Sequence, residues 1–464
     1  MYNWALNILT NQSPDRIYLR SPSRNISFKD LLEIIEENKT FLSKSAISET
    51  RVLAIMDQSI KSITAFWLLW SLDNCVVPLS TSSTAKEIIA LSEKVKSNWL
   101  FVPNVKKLPK ENLENFVDGI FTLNSDFKFE IIKSPSKPSE KVKGCGALIL
   151  KTSGTTAEPK LVEHSGEALF LNAKNHLLSL KRIPENYSLI VLPIVGAYTI
   201  TAQIIGAAID GSCIELSEAQ VFYPKEIFKQ IQKRKIKSVY LVPTQLKTLL
   251  NYRYLSKYKL DSLVQICIGG DFINEANNKS LKELLPNADI YNTYGLTEAG
   301  PRVLTNGYPI NGLEVKVLED GELCVKGDSV ITEYFEAPEF CEQTICNGWL
   351  HTGDIAVIDK SGRIIIKGRI KNTIICGGYN IYPEEIEAVL NELLPKRSFI
   401  IKPKKDEMYG EIPVLQITKD NNPPITLSAV HSYLTNLLNP LKWPKEIQIV
   451  DEINKGETGK MIRK

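Results

Sequence analysis

Several things are scarce in this chain of 464 residues. It holds 4 His and 8 Cys, the cysteines at 75, 145, 213, 267, 324, 341, 346 and 376, with no C-x-x-C pair. That scatter excludes the usual zinc-binding patterns and suits reduced thiols, so a cytoplasmic protein is expected. Neither sign of charge is in excess: 56 Lys+Arg against 53 Asp+Glu leave +3. A basic nucleic-acid glove and a supercharged tail are thereby excluded. No G-x-x-x-x-G-K-[ST] run occurs, so a Walker-type phosphotransferase has no support. The amino-terminal MYNWALNILTNQSPDR has neither a basic head nor a long apolar stretch, and a secretory signal is not expected. Internal repeats and low-complexity tracts are missing as well. One uncharged run, 189–209, is long enough to suggest a membrane span. It is interrupted by Pro193, Gly196, Tyr198, Thr199, Thr201 and Gln203. A buried strand over 189–192, a loop and a buried helix account for it better.

What is present is an ordinary globular composition, 43% hydrophobic and 23% charged. At roughly 150 residues per domain the length corresponds to about three compact units. Strand-like and helix-like runs alternate: strands over 51–56, 75–79 and 98–102, and helices over 58–72 (Ile60, Ile63, Phe66, Trp67 and Trp70 on apolar spacing) and 85–95. Further strands are predicted over 188–192, 238–242, 265–268 and 289–292. This alternation is that of layered α/β structure with largely parallel sheets. From about Gly312 the pattern turns to hairpins, one with Asp320–Gly321 at its turn and one with Ser361–Gly362. A smaller basic α/β piece with a helix over 383–394 follows. Residues 133–143, KSPSKPSEKVK, read as a surface loop before a buried strand.

Five stretches bear on chemistry. ALILKTSGTTAEPK (147–160) runs from an apolar strand into a loop of hydroxyls, backbone N–H groups and one cation, the donors a polyphosphate needs. YNTYGLTEAGP (291–301) puts an aromatic ring, a Thr and a Glu at a strand end; Tyr can stack on a base and Glu is a hard ligand for Mg²⁺. NGWLHTGD (347–354) ends in Asp354, a carboxylate able to accept ribose hydroxyls. GRIKNTIICGGYNIYPEEIE (368–387) joins two cations to a Gly-Gly loop and a Pro-initiated helix, and the chain closes on the basic NKGETGKMIRK. Each also has a bland account: a solvent turn, a polar strand cap, a turn Asp bonding its own backbone, a solvated tail.

Taken together and in this order, the set resembles the adenylate-forming superfamily of acyl- and aryl-CoA ligases, luciferases and peptide-synthetase adenylation domains. The resemblance runs from SFKDLL (27–32) to the terminus. It implies an α/β fold: a large N-terminal domain of layered α/β subdomains plus a β-rich subdomain (1–370), then a small mobile C-terminal α+β domain (371–464). It implies that Thr152, Ser153, Gly154, Thr155, Thr156 and Lys160 hold the β- and γ-phosphates of ATP. Thr297 would contact the α-phosphate and Glu298 would hold Mg²⁺. Tyr294 would stack on adenine beside Gly269, Gly270 and Asp271, while Asp354 and Arg369 would hold ribose and phosphate. Lys460 would bridge the attacking carboxylate and the α-phosphate. A hinge matching Lys371 would then swing Lys460 out and bring the Gly377–Gly378 loop toward a thiol.

The chain departs from the family pattern in places. Ala157 stands where the family has Gly, and Val195–Gly196 replace an aromatic–His pair. No Asp lies between 189 and 209 to meet an α-ammonium, which counts against an α-amino acid substrate. The segment between Gly300 and Gly312 is short. The acid pocket is expected among Ile194, Val195, Gly196, Ala197, Tyr198, Gly269, Phe272, Gly295 and Ala299. The expected activity is a cytoplasmic AMP-forming ligase that turns an aryl, fatty or short acyl acid into its adenylate and then its CoA thioester. Its cofactors would be ATP, Mg²⁺ and coenzyme A. The alternative is a stand-alone enzyme loading the phosphopantetheine of a separate carrier protein. A non-catalytic binding module would be expected to lack Lys460 or Glu298, and both are present. Neither nucleic acid nor an integral membrane segment is expected.

Overall fold

The computed structural model describes residues 3–463 apart from 46, 106–118, 136–139, 143–147, 153–159, 218–221, 271–274, 332, 338–339, 342–343, 395–396, 420–423 and 455–462. Arg51–Ile55 and Cys75–Leu79 lie side by side in parallel, linked by the helix Ile60–Ser71. Parallel neighbours need such a crossover, and packing on both faces makes the helix apolar all round. It begins two residues later than the apolar spacing predicts, because the Ser59 hydroxyl accepts the Ser62 N–H and caps it. Its Trp67 Nε1 donates to the Tyr18 hydroxyl (2.9 Å), which donates to the Ile204 carbonyl (2.8 Å). The buried polar groups there satisfy one another.

Seven strands form one sheet in the order Phe129–Lys133, Gly119–Leu123, Trp99–Phe101, Arg51–Ile55, Cys75–Leu79, Leu148–Lys151, Leu161–His164. A nine-stranded sheet runs Tyr308–Pro309, Leu304–Thr305, Asp289–Tyr294, Gln265–Gly269, Ser238–Leu241, Tyr187–Ile190, Cys213–Leu216, Ile17–Arg20, Asn25–Ser27. From Asp289–Tyr294 to Ile17–Arg20 its strands are parallel. One core, including Phe66, Trp67, Phe121, Leu169, Ile200 and Ile214, fills the space between the two sheets.

The uncharged run resolves as Tyr187–Ile190, a π-helix at Thr199–Ile205 and a short α-helix at Gly206–Asp210. Among the described residues no helix is long and apolar enough to cross a membrane. Both predicted hairpins form. Leu313–Val317 pairs with Glu322–Gly327 across Gly321 (φ +88°), and Trp349–Ile358 pairs with Ile364–Arg369 across Gly362 (φ +81°). They belong to one five-stranded sheet, whose last strand in sequence ends at Arg369. A second five-stranded sheet starts at Ile374 and packs against the helix Pro383–Leu393. Its core, with Ile386, Leu390, Ile401, Leu415 and Val430, uses only residues from Ile374 onward.

Candidate active site

In a parallel sheet, ligands sit beyond the carboxyl ends of the strands. Here Gln265–Gly269 and Asp289–Tyr294 are parallel neighbours, and the predicted Gly269–Gly270 and Tyr294–Ala299 segments leave from those ends. Gly295 has no substitute: a Cβ would stand 1.7 Å from the Pro301 carbonyl oxygen, because the chain folds straight back on itself. Between them Thr297–Ala299 forms one 3₁₀ turn, closed by Gly300 at φ +99°. Two buried side chains pin this turn. His164 Nε2 meets the Thr297 carbonyl at 2.7 Å. Asn172 Nδ2 donates to the carbonyls of Ala299 (3.2 Å) and Arg302 (2.9 Å), while its Oδ1 accepts the Arg302 N–H (2.9 Å). Burial holds the His164 imidazole neutral by pushing its pKa down to about 4.

The bland account of Asp354 makes it a turn residue bonding its own backbone. It lies inside the strand Trp349–Ile358, 3% exposed, directly opposite Arg369. Arg369 Nε reaches its Oδ1 at 2.7 Å and the Tyr294 hydroxyl donates to its Oδ2 at 2.5 Å. The turn reading fails because the hairpin register, not a local Asx bond, sets its position. Burial and the Asp354 charge push the Tyr294 phenol well up, so it stays a donor. Upstream, the Glu322 carboxylate takes the Gly353 N–H (2.9 Å) and faces His351 Nδ1 (2.7 Å), which fixes the approach to Asp354.

The expected phosphate loop lies between Leu148–Lys151 and Leu161–His164, which pair antiparallel, with the Thr152 N–H bonded to the Lys160 carbonyl (2.9 Å). Ser153, Gly154, Thr155, Thr156 and Ala157 lie outside the described residues. Lys160 Nζ stands 3.7 Å above the Phe340 ring centroid and 4.7 Å from that of Tyr334. The Tyr334 hydroxyl donates to Glu298 Oε1 at 3.2 Å. One buried tyrosine thus touches both the loop's cation and the carboxylate expected to bind metal. The other Glu298 oxygen accepts no hydrogen bond among the described residues, leaving it open to a hard cation.

Gly196, Ala197 and Tyr198 are half-buried and lead into the π-helix. Ala299 is fully buried. Asp271 and Phe272 lie outside the described residues. Lys371 is exposed in the short turn Ile370–Asn372 that joins the two five-stranded sheets. Gly377 and Gly378 are exposed with φ of +56° and +81°. Lys460 lies outside the described residues, but Arg463 near it is held hard. Its Nη1 and Nη2 reach Glu387 Oε1 (2.6 Å) and Oε2 (2.8 Å), and Nη1 also donates to the Ile401 carbonyl (2.9 Å). Arg463 is therefore not simply solvated charge. Tyr334, His164, Asn172 and Glu322 escaped the motif reading because each lies outside the stretch it supports, and Arg463 lay in the basic tail with no local sign of its partner. Tyr334 alone had a local cue, an aromatic-rich EYFEAPEF stretch.

The family model for AMP-binding enzyme matches residues 8–335. The chain is 26% identical to 2-succinylbenzoate–CoA ligase of Bacillus pumilus, over 99% of this chain and 96% of that protein. It is 25% identical to 2-succinylbenzoate–CoA ligase of Lactococcus lactis, over 94% and 95%. Against 4-coumarate–CoA ligase 3 of Arabidopsis thaliana the identity is 28% over 68% of this chain and 61% of the plant protein. Among solved structures it superposes on o-succinylbenzoate CoA synthetase from Bacillus subtilis in complex with the acyl-adenylate OSB-AMP. The TM-score there is 0.85 at 22% identity, covering 100% of this chain and 97% of that one. ATP-bound MatB from Rhodopseudomonas palustris gives a TM-score of 0.86 at 20% identity, over 99% and 97%. At such identities these two structures speak for the fold alone.

Proposed function

Because the chain belongs to the AMP-binding enzyme family, we propose that it is an AMP-forming acid–CoA ligase. A carboxylate cannot exchange oxide for a thiol, because oxide is too poor a leaving group. The enzyme therefore first lets a carboxylate oxygen attack the α-phosphorus of ATP. The bond from that phosphorus to the α,β-bridging oxygen breaks, and pyrophosphate leaves. The CoA sulfur, as thiolate, then attacks the acyl carbon, and AMP departs with the electron pair of the acyl–oxygen bond. CoA, not a carrier protein, is the acceptor, in line with the relatives' names. The sheet-end position of Gly269–Gly270 and Tyr294–Ala299 carries this reading.

Tyr294, Gly269, Gly270 and Asp271 form the adenine site, and Asp354 the ribose site. The Asp354 carboxylate, oriented by Arg369 on one oxygen and Tyr294 on the other, would accept the ribose hydroxyls. Thr152, Ser153, Gly154, Thr155, Thr156 and Lys160 hold the β- and γ-phosphates, and Thr297 the α-phosphate. Glu298 offers Mg²⁺ an open carboxylate oxygen, and Mg²⁺ bound there would offset phosphate charge. Lys460 stabilises the charge that builds on the α-phosphate. Residues 371–464 turn about Lys371 between the half-reactions, which exchanges Lys460 for the Gly377–Gly378 loop. The acid occupies the space near Gly196, Ala197, Tyr198, Phe272, Gly295 and Ala299. The described cysteines are free thiols, which suits a cytoplasmic enzyme.

The test is acid-dependent ATP–pyrophosphate exchange over a panel of acids, followed by addition of CoA or a phosphopantetheinylated carrier protein. Exchange with at least one acid and thioester formed with CoA is the expected result. Thioester formed only on the carrier protein would overturn the choice of acceptor.

A further inference from the structure

Arg302 is a buried cation with no anion beside it among the described residues. Its residue is 3% exposed and follows directly on the Tyr294–Pro301 segment. Its guanidinium stacks on the Tyr198 ring (3.9 Å to the centroid), and Nη1 donates to Thr293 Oγ1 at 3.0 Å. Its Nε is buried with no hydrogen-bond partner. The charged and titratable groups around it are Tyr198, Tyr240, Cys267 and His176. None is an anion. Burial pushes the phenols of Tyr198 and Tyr240 up and the Cys267 thiol up to about 12, and His176, 0% exposed, is driven down to about 3 and stays neutral. Both His176 ring nitrogens are also buried and unpartnered. No carboxylate among the described residues pairs with this guanidinium.

Arg302 sits among the acid-site residues. A Cβ on Gly269 would stand 3.1 Å from Arg302 Nη1 and 2.9 Å from Tyr198 Cε1. A Cβ on Gly295 would stand 3.1 Å from Arg302 Cα. Tyr198 and Gly269 therefore lie against its guanidinium, and Gly295 lies against its backbone. Burying an unpaired charge is expensive, and an anionic ligand group reaching this guanidinium would offset that cost. The reacting carboxylate cannot be that partner throughout, since in the adenylate it becomes the uncharged carbonyl of a mixed anhydride.

We propose that the acid substrate carries a second anionic group, a carboxylate or its equivalent, which pairs with Arg302. Arg302 is thus a specificity-determining residue, and the enzyme prefers dicarboxylic to simple monocarboxylic acids. This rests on the acid–CoA ligase reading above and narrows it away from a wholly apolar acid.

The experiment compares ATP–pyrophosphate exchange by the intact enzyme with aliphatic and aromatic dicarboxylic acids, each beside its monomethyl ester. The best diacid is expected to exceed its own ester by about tenfold or more in kcat/KM, the scale of one charge-assisted hydrogen bond. Arg302→Met should bring that ratio to about one, and Arg302→Lys should keep part of it. Esters or plain monoacids equal to the diacids in the unsubstituted enzyme would overturn the proposal, even if Arg302→Met does not fold. Equal loss of both members of a pair in Arg302→Met would also overturn it, because Arg302 would then serve the reacting carboxylate or the scaffold. Exchange with diacids and monoacids alike at zero would remove the ligase reading itself, and this proposal with it.

Discussion

Asp354 and Arg369 face each other across two antiparallel strands, with Nε 2.7 Å from Oδ1, and Tyr294 closes on the same carboxylate from the nine-stranded sheet. One buried carboxylate therefore ties two sheets together at the expected ribose position. Asp354→Asn keeps the shape but removes the charge. The KM for ATP should rise about tenfold to a hundredfold, from one or two weakened charge-assisted bonds. Exchange kinetics at varied ATP check this. An unchanged KM would move the ribose elsewhere.

Arg463, three residues after Lys460 in sequence, is held by Glu387 of the helix Pro383–Leu393. Arg463→Ala should slow adenylate formation by about tenfold or more and spare thioester formation from supplied adenylate. Lys460→Ala should do the same more severely, by removing the cation itself. The two half-reactions, assayed separately, give the answer. Equal loss in both would count against a lysine used only in the first step.

Lys371→Pro fixes φ in the turn Ile370–Asn372. Adenylation should persist while thioester formation falls by about a hundredfold, the signature of a frozen hinge. Normal turnover by this variant would place the hinge elsewhere.

Tyr334→Phe keeps the ring near Lys160 and deletes the hydroxyl that bonds Glu298. The Mg²⁺ concentration for half-maximal exchange should rise about threefold to tenfold, with little change in KM for the acid. Replacing the ring, in Tyr334→Leu, should also alter the KM for ATP by freeing Lys160.

His164 and His176 are buried neutral, held down to about 4 and about 3. Unfolded, each would titrate near 6.5, so below that pH the unfolded chain binds more protons. Their contribution to stability is complete above about 6.5 and is lost as pH falls toward 4 and 3. The melting temperature should drop between pH 7 and 5, and His176→Phe should flatten that slope. A slope unchanged in the variant would assign the acid sensitivity to other groups.

Much of the layout was legible locally. The strand Cys75–Leu79 and the turns at Gly321 and Gly362 fall where the pattern of apolar residues and turn glycines puts them. Their signals are periodicity and positive φ, which a few residues determine. Asp354 was legible as an acid worth watching but not as a strand residue. Its place depends on pairing with Ile364–Arg369, across a hairpin whose bulge lies beside it. Arg302 gave no signal at all. A cation beside Pro and Val reads as surface until tertiary packing buries it under Tyr198 and Asn172.

By itself the sequence determined the order of strands and helices and the set of chemical groups at their ends, because those depend on spacing along the chain. The tertiary structure alone decided which of those groups meet. Glu298 meets Tyr334, Asp354 meets Tyr294 and Arg369, and Arg302 meets no anion among the described residues. The partners of a buried charge come from distant segments, and burial makes the presence or absence of such a partner chemically decisive.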